Sequence, residues 1–234
     1  MADLVVLSGV SVSYGCRDVL ANVHLVVRDG EFISIVGKSG VGKTSLLRAI
    51  GGLVPFSGNI ACPPRKGMVF QNDSVFPWMT VSQNIAFGLE EYDPSAKRRI
   101  VDRHLAVAGL WSLRDSFPSE LSGGQVQRVA IARAFAPRPS FVLMDEPFAS
   151  LDMQTRDSMH RWLEEVWSDE KMTIILVTHY IDEAILLSDR VIVLREGGRL
   201  DDLKVDLPRP RDAGMVFEPG FLELKRKIVE CLGV

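Results

Sequence analysis

Gly37-Lys38-Ser39-Gly40-Val41-Gly42-Lys43-Thr44 packs three glycines, two lysines and two hydroxyls into eight residues. The apolar run Phe32-Ile33-Ser34-Ile35-Val36 precedes it and Ser45-Leu46-Leu47-Arg48-Ala49-Ile50 follows. The order reads as buried strand, tight loop and helix. Such glycines let the backbone take conformations closed to other residues and bring N–H groups close to an anion, at the positive end of the helix dipole. The loop is built to hold phosphates. Lys43 adds a point charge for the β and γ phosphates of a nucleotide, and the Thr44 hydroxyl can ligate a Mg²⁺ that bridges them.

A second chemical element is Phe141-Val142-Leu143-Met144-Asp145-Glu146, an apolar strand that delivers two carboxylates at its C-terminal end. Ligands of open α/β sheets bind at that end. Adjacent acids are tolerated beside a buried strand when a charge compensates them, and Mg²⁺ with a cationic phosphate loop does so. Asp145 then reads as the metal partner, direct or through water, and Glu146 as the group that polarises the attacking water. A third element, Leu121-Ser122-Gly123-Gly124-Gln125, places Ser122 to cap a helix through residues 126–135. It is either a plain cap or a second anion cradle whose N–H groups stay free.

The elements that must position these groups are legible in the periodicity. Residues 4–9, and then Val23, Leu25 and Val27 alternating with Asn22, His24 and Arg28, have the period-two pattern of half-buried antiparallel strands. Met68-Val69-Phe70, residues 141–144, 173–177 and 191–194 are short apolar runs that predict fully buried strands of a parallel sheet. Met159, Trp162, Leu163, Val166 and Trp167 repeat at three-and-four spacing and predict a helix with one apolar core face. Residues 82–137 contain no strand run and read as a mostly helical insertion, punctuated by Pro118 and Pro137. Leu207-Pro208-Arg209-Pro210-Arg211 reads as a stiff connector leading to a short amphipathic helix at about residues 221–232.

Composition narrows the class. The chain has 234 residues, 47% hydrophobic and 24% charged, enough for a substantial core in one domain. A net charge of −3 with no block of like charges gives no electrostatic footprint for nucleic acid or an anionic membrane, and Arg209 with Arg211 makes only a small local patch. Cys16, Cys62 and Cys231 are odd in number and lack metal-ligand spacing, which fits reduced thiols. No apolar stretch is long enough to span a bilayer and no signal peptide is read at the start, so the expected location is the cytoplasm.

Taken in order, Tyr14, the phosphate loop, Gln71, Leu121-Ser122-Gly123-Gly124-Gln125, Asp145-Glu146, Ser150-Leu151-Asp152 and His179 resemble the nucleotide-binding subunit of ATP-binding cassette (ABC) transporters, over residues 4–205. The resemblance implies an α/β fold. It is a P-loop NTPase core with a mostly parallel sheet, an N-terminal antiparallel β layer and an inserted helical subdomain. Residues 1–205 form the ATPase domain, with the insertion at about 82–137, and residues 206–234 a short tail with a helix. ATP and Mg²⁺ are the implied ligands. Tyr14 is the adenine-stacking aromatic, Gly37, Lys38, Ser39, Gly40, Val41, Gly42, Lys43, Thr44 and Ser45 hold the phosphates, and Thr44, Gln71 and Asp145 hold Mg²⁺. Glu146, His179, Gln71 and Lys43 are the implied catalytic set. The resemblance also assigns residues 121–125 to the site of a second copy and Asp152 to the loop that crosses to it, giving a head-to-tail homodimer.

The implied partners are that second copy, integral membrane permease subunits and, indirectly, a solute-binding protein, with no nucleic acid; the implied place is peripheral, on the cytoplasmic face of the inner membrane. Two competing classes are a soluble cassette ATPase of repair or translation and a non-catalytic nucleotide-gated module. Residues 71–85 and 206–211 resemble the nitrate, sulfonate and taurine branch of bacterial importers. Within them Phe76, Pro77, Trp78 and Met79 form either part of a groove for a permease coupling helix or helical-domain core.

Overall fold

The computed structural model describes residues 2–70 and 75–233. Two long strands, β1 (Asp3–Tyr14) and β2 (Arg17–Arg28), form the predicted antiparallel layer. Val5, Leu7, Val10 and Val12 on β1 and Leu20, Val23, Leu25 and Val27 on β2 are buried. The inward parity of β1 changes between Leu7 and Val10, where the register shifts at Gly9 with φ +64°. That is a bulge at a left-handed position, and it keeps both halves of the strand facing the core. Next comes β3 (Phe32–Val36), buried throughout, then β4 (Ser57–Ala61), which joins the small sheet in the order β2-β1-β4. Strand β4 was not expected, because Ser57-Gly58-Asn59-Ile60-Ala61 is largely exposed and carries no apolar alternation.

The main sheet adds β5 (Lys66–Val69), β6 (Phe141–Asp145), β7 (Thr173–Val177), β8 (Arg190–Leu194) and β9 (Leu200–Lys204), in the order β5-β6-β7-β3-β8-β9. The first five are parallel, as the apolar runs within them predict. Strand β9 pairs antiparallel with β8 at the edge. Its sequence, Leu200-Asp201-Asp202-Leu203-Lys204, has the charges of an edge strand rather than a strand-like run. Helix α1 (Lys43–Gly51) follows the phosphate loop. The expected insertion contains α2 (Val81–Ala86), α3 (Pro94–Val107) and α4 (Gly123–Phe135) and no strand among its described residues. Helix α5 (Met153–Glu170) buries Met159, Trp162, Leu163, Val166 and Trp167 on one face, so that stripe is core.

Two buried polar side chains stand out in the helical insertion. Asn84 on α2 is fully buried; its Oδ1 accepts from the Phe76 N–H (2.8 Å), and its Nδ2 donates to the carbonyls of Phe76 (3.1 Å), Met79 (3.0 Å) and Thr80 (3.1 Å). One amide therefore shapes the 76–80 turn. His104 on α3 is buried, and burial, with Arg103 and Arg138 adding, pushes its pKa from 6.5 to about 4. Between those two pH values the unfolded chain binds a proton that the folded one refuses, so stability falls as pH drops through the window. The full loss is on the order of 3 kcal/mol. Urea titrations at about pH 7 and about pH 4.5 should show that slope flattened in His104→Gln; a slope equal to that of the parent protein would refute it.

Helix α6 (Ile181–Leu187) connects β7 to β8, and after β9 the chain ends in α7 (Pro219–Leu232), which packs against α6 and buries Phe221 and Ile228. The expected surface patch of Arg209 and Arg211 is corrected here. Arg209 lies over the Trp167 ring (4.2 Å) and donates to Glu164 (3.0 Å) and Asp189 (2.9 Å). Arg211 is buried and donates to the carbonyls of Ile185 (2.9 Å), Ser188 (2.6 Å) and Leu207 (2.9 Å). Both guanidinium groups are anchors for the connector, because planar forked donors satisfy several acceptors at once.

Candidate nucleotide site

The phosphate loop runs from the end of β3 to the first residue of α1. Gly42, the residue that opens α1, has φ +110° and ψ 12°. A β-carbon there would lie 2.8 Å from Leu20 and 2.9 Å from Val19, so both conformation and space require glycine. Helix α1 has no side-chain cap and no acid in its first turn, which leaves its N-terminal N–H groups for an external anion. Lys43 is buried and folds back on the loop, donating from Nζ to the carbonyls of Gly37 (2.9 Å) and Lys38 (3.1 Å). Burial lowers its pKa, opposed by the nearby carboxylates of Glu146 and Asp145.

Thr44 Oγ1 donates to Asp145 Oδ1 (3.0 Å), which joins the hydroxyl and carboxylate read from the sequence as Mg²⁺ ligands. Asp145 is 4% exposed. Burial raises its pKa, and the Thr44 hydrogen bond with Arg48, Lys43 and His179 opposes that rise only in part. A carboxylate disfavoured in this way gains most from a divalent cation, so the donor set fits Mg²⁺. Among the described residues no three His, Cys, Asp or Glu side chains group together as metal ligands. A hard cation here therefore needs oxygens from elsewhere, as nucleotide phosphates supply.

Glu146 sits just past β6 with φ +48°, and its N–H donates to the Val177 carbonyl (2.9 Å). This bond locks the turn to β7, and His179 arrives from the end of the same strand with Nε2 2.5 Å from Glu146 Oε1. The two predicted catalytic groups thus meet directly. A cavity of about 320 Å³ is lined by Arg17, Val19, Lys43, Thr44, Glu146 and His179 together with Ser39, Gly40, Gly42 and Ser45. Tyr14, at the end of β1, is 47% exposed, and its hydroxyl is 3.4 Å from Ser45 Oγ. Arg17 was missed from the sequence: it reaches the cavity through the β1–β2 hairpin, and no local motif marks it. Gln71 lies outside the described residues.

Residues 121–125 are not among those lining this cavity. Ser122 caps α4, accepting from the Gln125 N–H (3.4 Å), while Gln125 Oε1 accepts from the Ser122 N–H (2.9 Å). Asp152 caps α5, accepting from the Thr155 N–H (3.1 Å) and hydroxyl (2.6 Å). The two helix starts are packed together: a β-carbon on Gly124 would lie 2.5 Å from Thr155 Cγ2, and one on Gly123 3.6 Å from Leu151 Cδ2. The structure therefore forms two groups, a phosphate cavity and a separate surface of two helix N-termini.

Residues 20–149 match the family model described as ABC transporter. The chain belongs to the ABC transporter family. It is similar to the aliphatic sulfonates import ATP-binding protein SsuB of Mycobacterium sp. (strain MCS), at 40% identity over 236 residues covering 100% of this chain and 95% of that protein. It is also similar to the uncharacterized ABC transporter ATP-binding protein MJ0412 of Methanocaldococcus jannaschii, at 44% identity with 91% and 84% coverage. Among solved structures, the dimeric post-hydrolysis state of the ATP-binding cassette MJ0796 bound to ADP and Pi matches with a TM-score of 0.75 and 29% identity, over 88% of this chain and 100% of that one. A putative metal-chelate type ABC transporter in an inward-facing conformation shares the fold, with a TM-score of 0.78 at 22% identity over 88% of this chain and 84% of that one. This ABC ATPase binds ATP and couples its hydrolysis to transport; among its described residues no helix is long and apolar enough to cross a membrane.

Proposed function

We propose that this ABC ATPase energises the uptake of aliphatic sulfonates or closely related organosulfur anions. The observation that carries this reading is the likeness to aliphatic sulfonates import ATP-binding proteins, 40% identical from end to end. Residues 1–205 serve as the ATPase domain, with residues 82–137 inserted and 206–234 as tail. Two copies close head to tail on ATP, at the cytoplasmic face of the inner membrane, against permease subunits that receive solute from a binding protein.

In each site the N–H groups of the phosphate loop and of the start of α1 cradle the phosphates, Lys43 leaves its two loop carbonyls for the β and γ oxygens, and Tyr14 stacks on adenine. Thr44, Asp145 and Gln71 would hold Mg²⁺, which supplies charge neutralisation across the phosphates. Glu146 takes the proton of the attacking water, and His179, held against Glu146, positions that carboxylate and contacts the γ-phosphate. Ser122 and the Gly124 N–H of the other copy complete the charge stabilisation. The separation of residues 121–125 from the chain's own cavity supports this trans arrangement. Uptake of a labelled alkanesulfonate should vanish in cells lacking this chain and return with the gene; persistent uptake would overturn the substrate reading.

The 76–80 turn supplies the permease contact in this reading. Trp78 is 68% exposed and Phe87 46%; Phe76 lies between them, with ring centroids 5.4 Å from Trp78 and 4.6 Å from Phe87. An exposed aromatic patch shaped from beneath by Asn84 suits the end of a permease helix. Trp78→Arg should keep soluble ATPase activity and lose co-purification with the permease; retained co-purification would remove Trp78 from the contact.

A further inference from the structure

Beside the nucleotide cavity, and sharing His179 with it, lies an apolar groove of about 590 Å³ between the starts of α5 and α6 and the tail. Its rim carries Met153, Tyr180 and Phe217, which are 77%, 41% and 81% exposed. Single exposed apolar residues need no explanation, but three around one groove do. Phe217 is not on a loose end. It closes a one-turn helix, Ala213–Phe217, in which Asp212 accepts from the Gly214 N–H (2.7 Å), Met215 is buried beneath and the Glu218 N–H donates to the Met215 carbonyl (2.9 Å). With Met215 anchored inward, Phe217 is held out to solvent.

We infer that this groove and Phe217 form a second contact between two copies of this chain, in which the tail of each copy seats on the α5–α6 groove of the other. This rests on the head-to-tail dimer proposed above. Three observations select a second copy as occupant. The groove adjoins the proposed ATP-dependent interface, since its rim includes His179 and Met153, the residue after Asp152. A protruding aromatic and a hollow stand side by side on one patch, which is what an isologous contact requires, because each copy must offer both. The remaining rim charges are of both signs, with Asp182 paired to Lys225 (2.7 Å) and Arg156 lying over Tyr180 (4.1 Å), so the patch does not repel its own copy.

The test uses the full chain with Glu146→Gln, expected to bind ATP without turning it over, and compares it with Glu146→Gln/Phe217→Glu and Glu146→Gln/Phe217→Leu by sedimentation across protein concentration. Fluorescent-ATP binding at concentrations where the chain is monomeric serves as the control. The expected result is ATP-dependent dimerisation weakened at least tenfold by Phe217→Glu and largely kept by Phe217→Leu, with monomer ATP binding unchanged in both. Dimerisation within twofold of the parent in the Phe217→Glu variant overturns the inference and leaves the head-to-tail reading standing. The same holds if that variant loses only permease association, since the occupant is then another protein. Failure of Glu146→Gln itself to dimerise with ATP overturns both.

Discussion

Replacing Glu146 by Gln should leave ATP binding intact and lower turnover at least 100-fold. General-base assistance is worth about 10² to 10⁴ in rate, and 100-fold corresponds to about 2.7 kcal/mol of barrier. The substitution is close to isosteric, and the backbone bond from the Glu146 N–H to the Val177 carbonyl does not involve the side chain. The fold of the turn is therefore expected to survive, including its φ of +48°, which a glutamine meets with the same penalty as a glutamate. What is lost is the carboxylate facing His179 Nε2. Lys43, Thr44 and Asp145 are untouched, so the variant should accumulate ATP-bound protein. Phosphate release and nucleotide binding, measured on one preparation, separate the two properties. Wild-type turnover in Glu146→Gln would sink the assignment of the base.

The second large effect concerns two copies. Lys43→Ala alone and Ser122→Arg alone should each reduce ATPase activity to near background, one by removing the phosphate-loop cation and the other by filling the cap of α4 with a long side chain. Mixed in equal amounts, the two inactive proteins should recover a substantial part of the lost activity. In the mixed pair, one site combines both defects and the other has an intact phosphate loop facing an intact Ser122. If Ser122 served the cavity of its own chain, no combination would contain a complete site and mixing would restore nothing. The geometry favours recovery, because Ser122 caps α4 on a surface apart from the residues that line the cavity.

The parts of this protein that were legible in its sequence are those whose neighbours in space are also neighbours along the chain, or whose apolar pattern is strong. The phosphate loop is local, and β3, β6 and β7 are unbroken buried runs, so the carboxylates at the end of β6 and His179 beyond β7 could be placed at the C-terminal ends of the parallel strands. Strands β4 and β9 were missed because pairing with β1 and β8, not apolar content, makes them strands. Arg17 was missed because only the hairpin brings it to the cavity. The tail arginines were misplaced for a related reason. Charge alone suggests solvent, and nothing near Arg209 or Arg211 in sequence shows that Glu164, Asp189 and the end of α6 are waiting for them.

That docking of the connector has a mechanical side. Helix α6 begins at Ile181, two residues after His179, and ends at Leu187; Arg211 grips it at the far end through the carbonyls of Ile185 and Ser188. Seven residues of helix make a strut of about 10 Å. One end of the strut follows His179, proposed above to contact the γ-phosphate, and the other is bolted to the segment that presents Phe217. Any displacement of His179 would thus reach the tail through a short, stiff connection, because Arg211 ties residues 206–217 to the far end of the same helix.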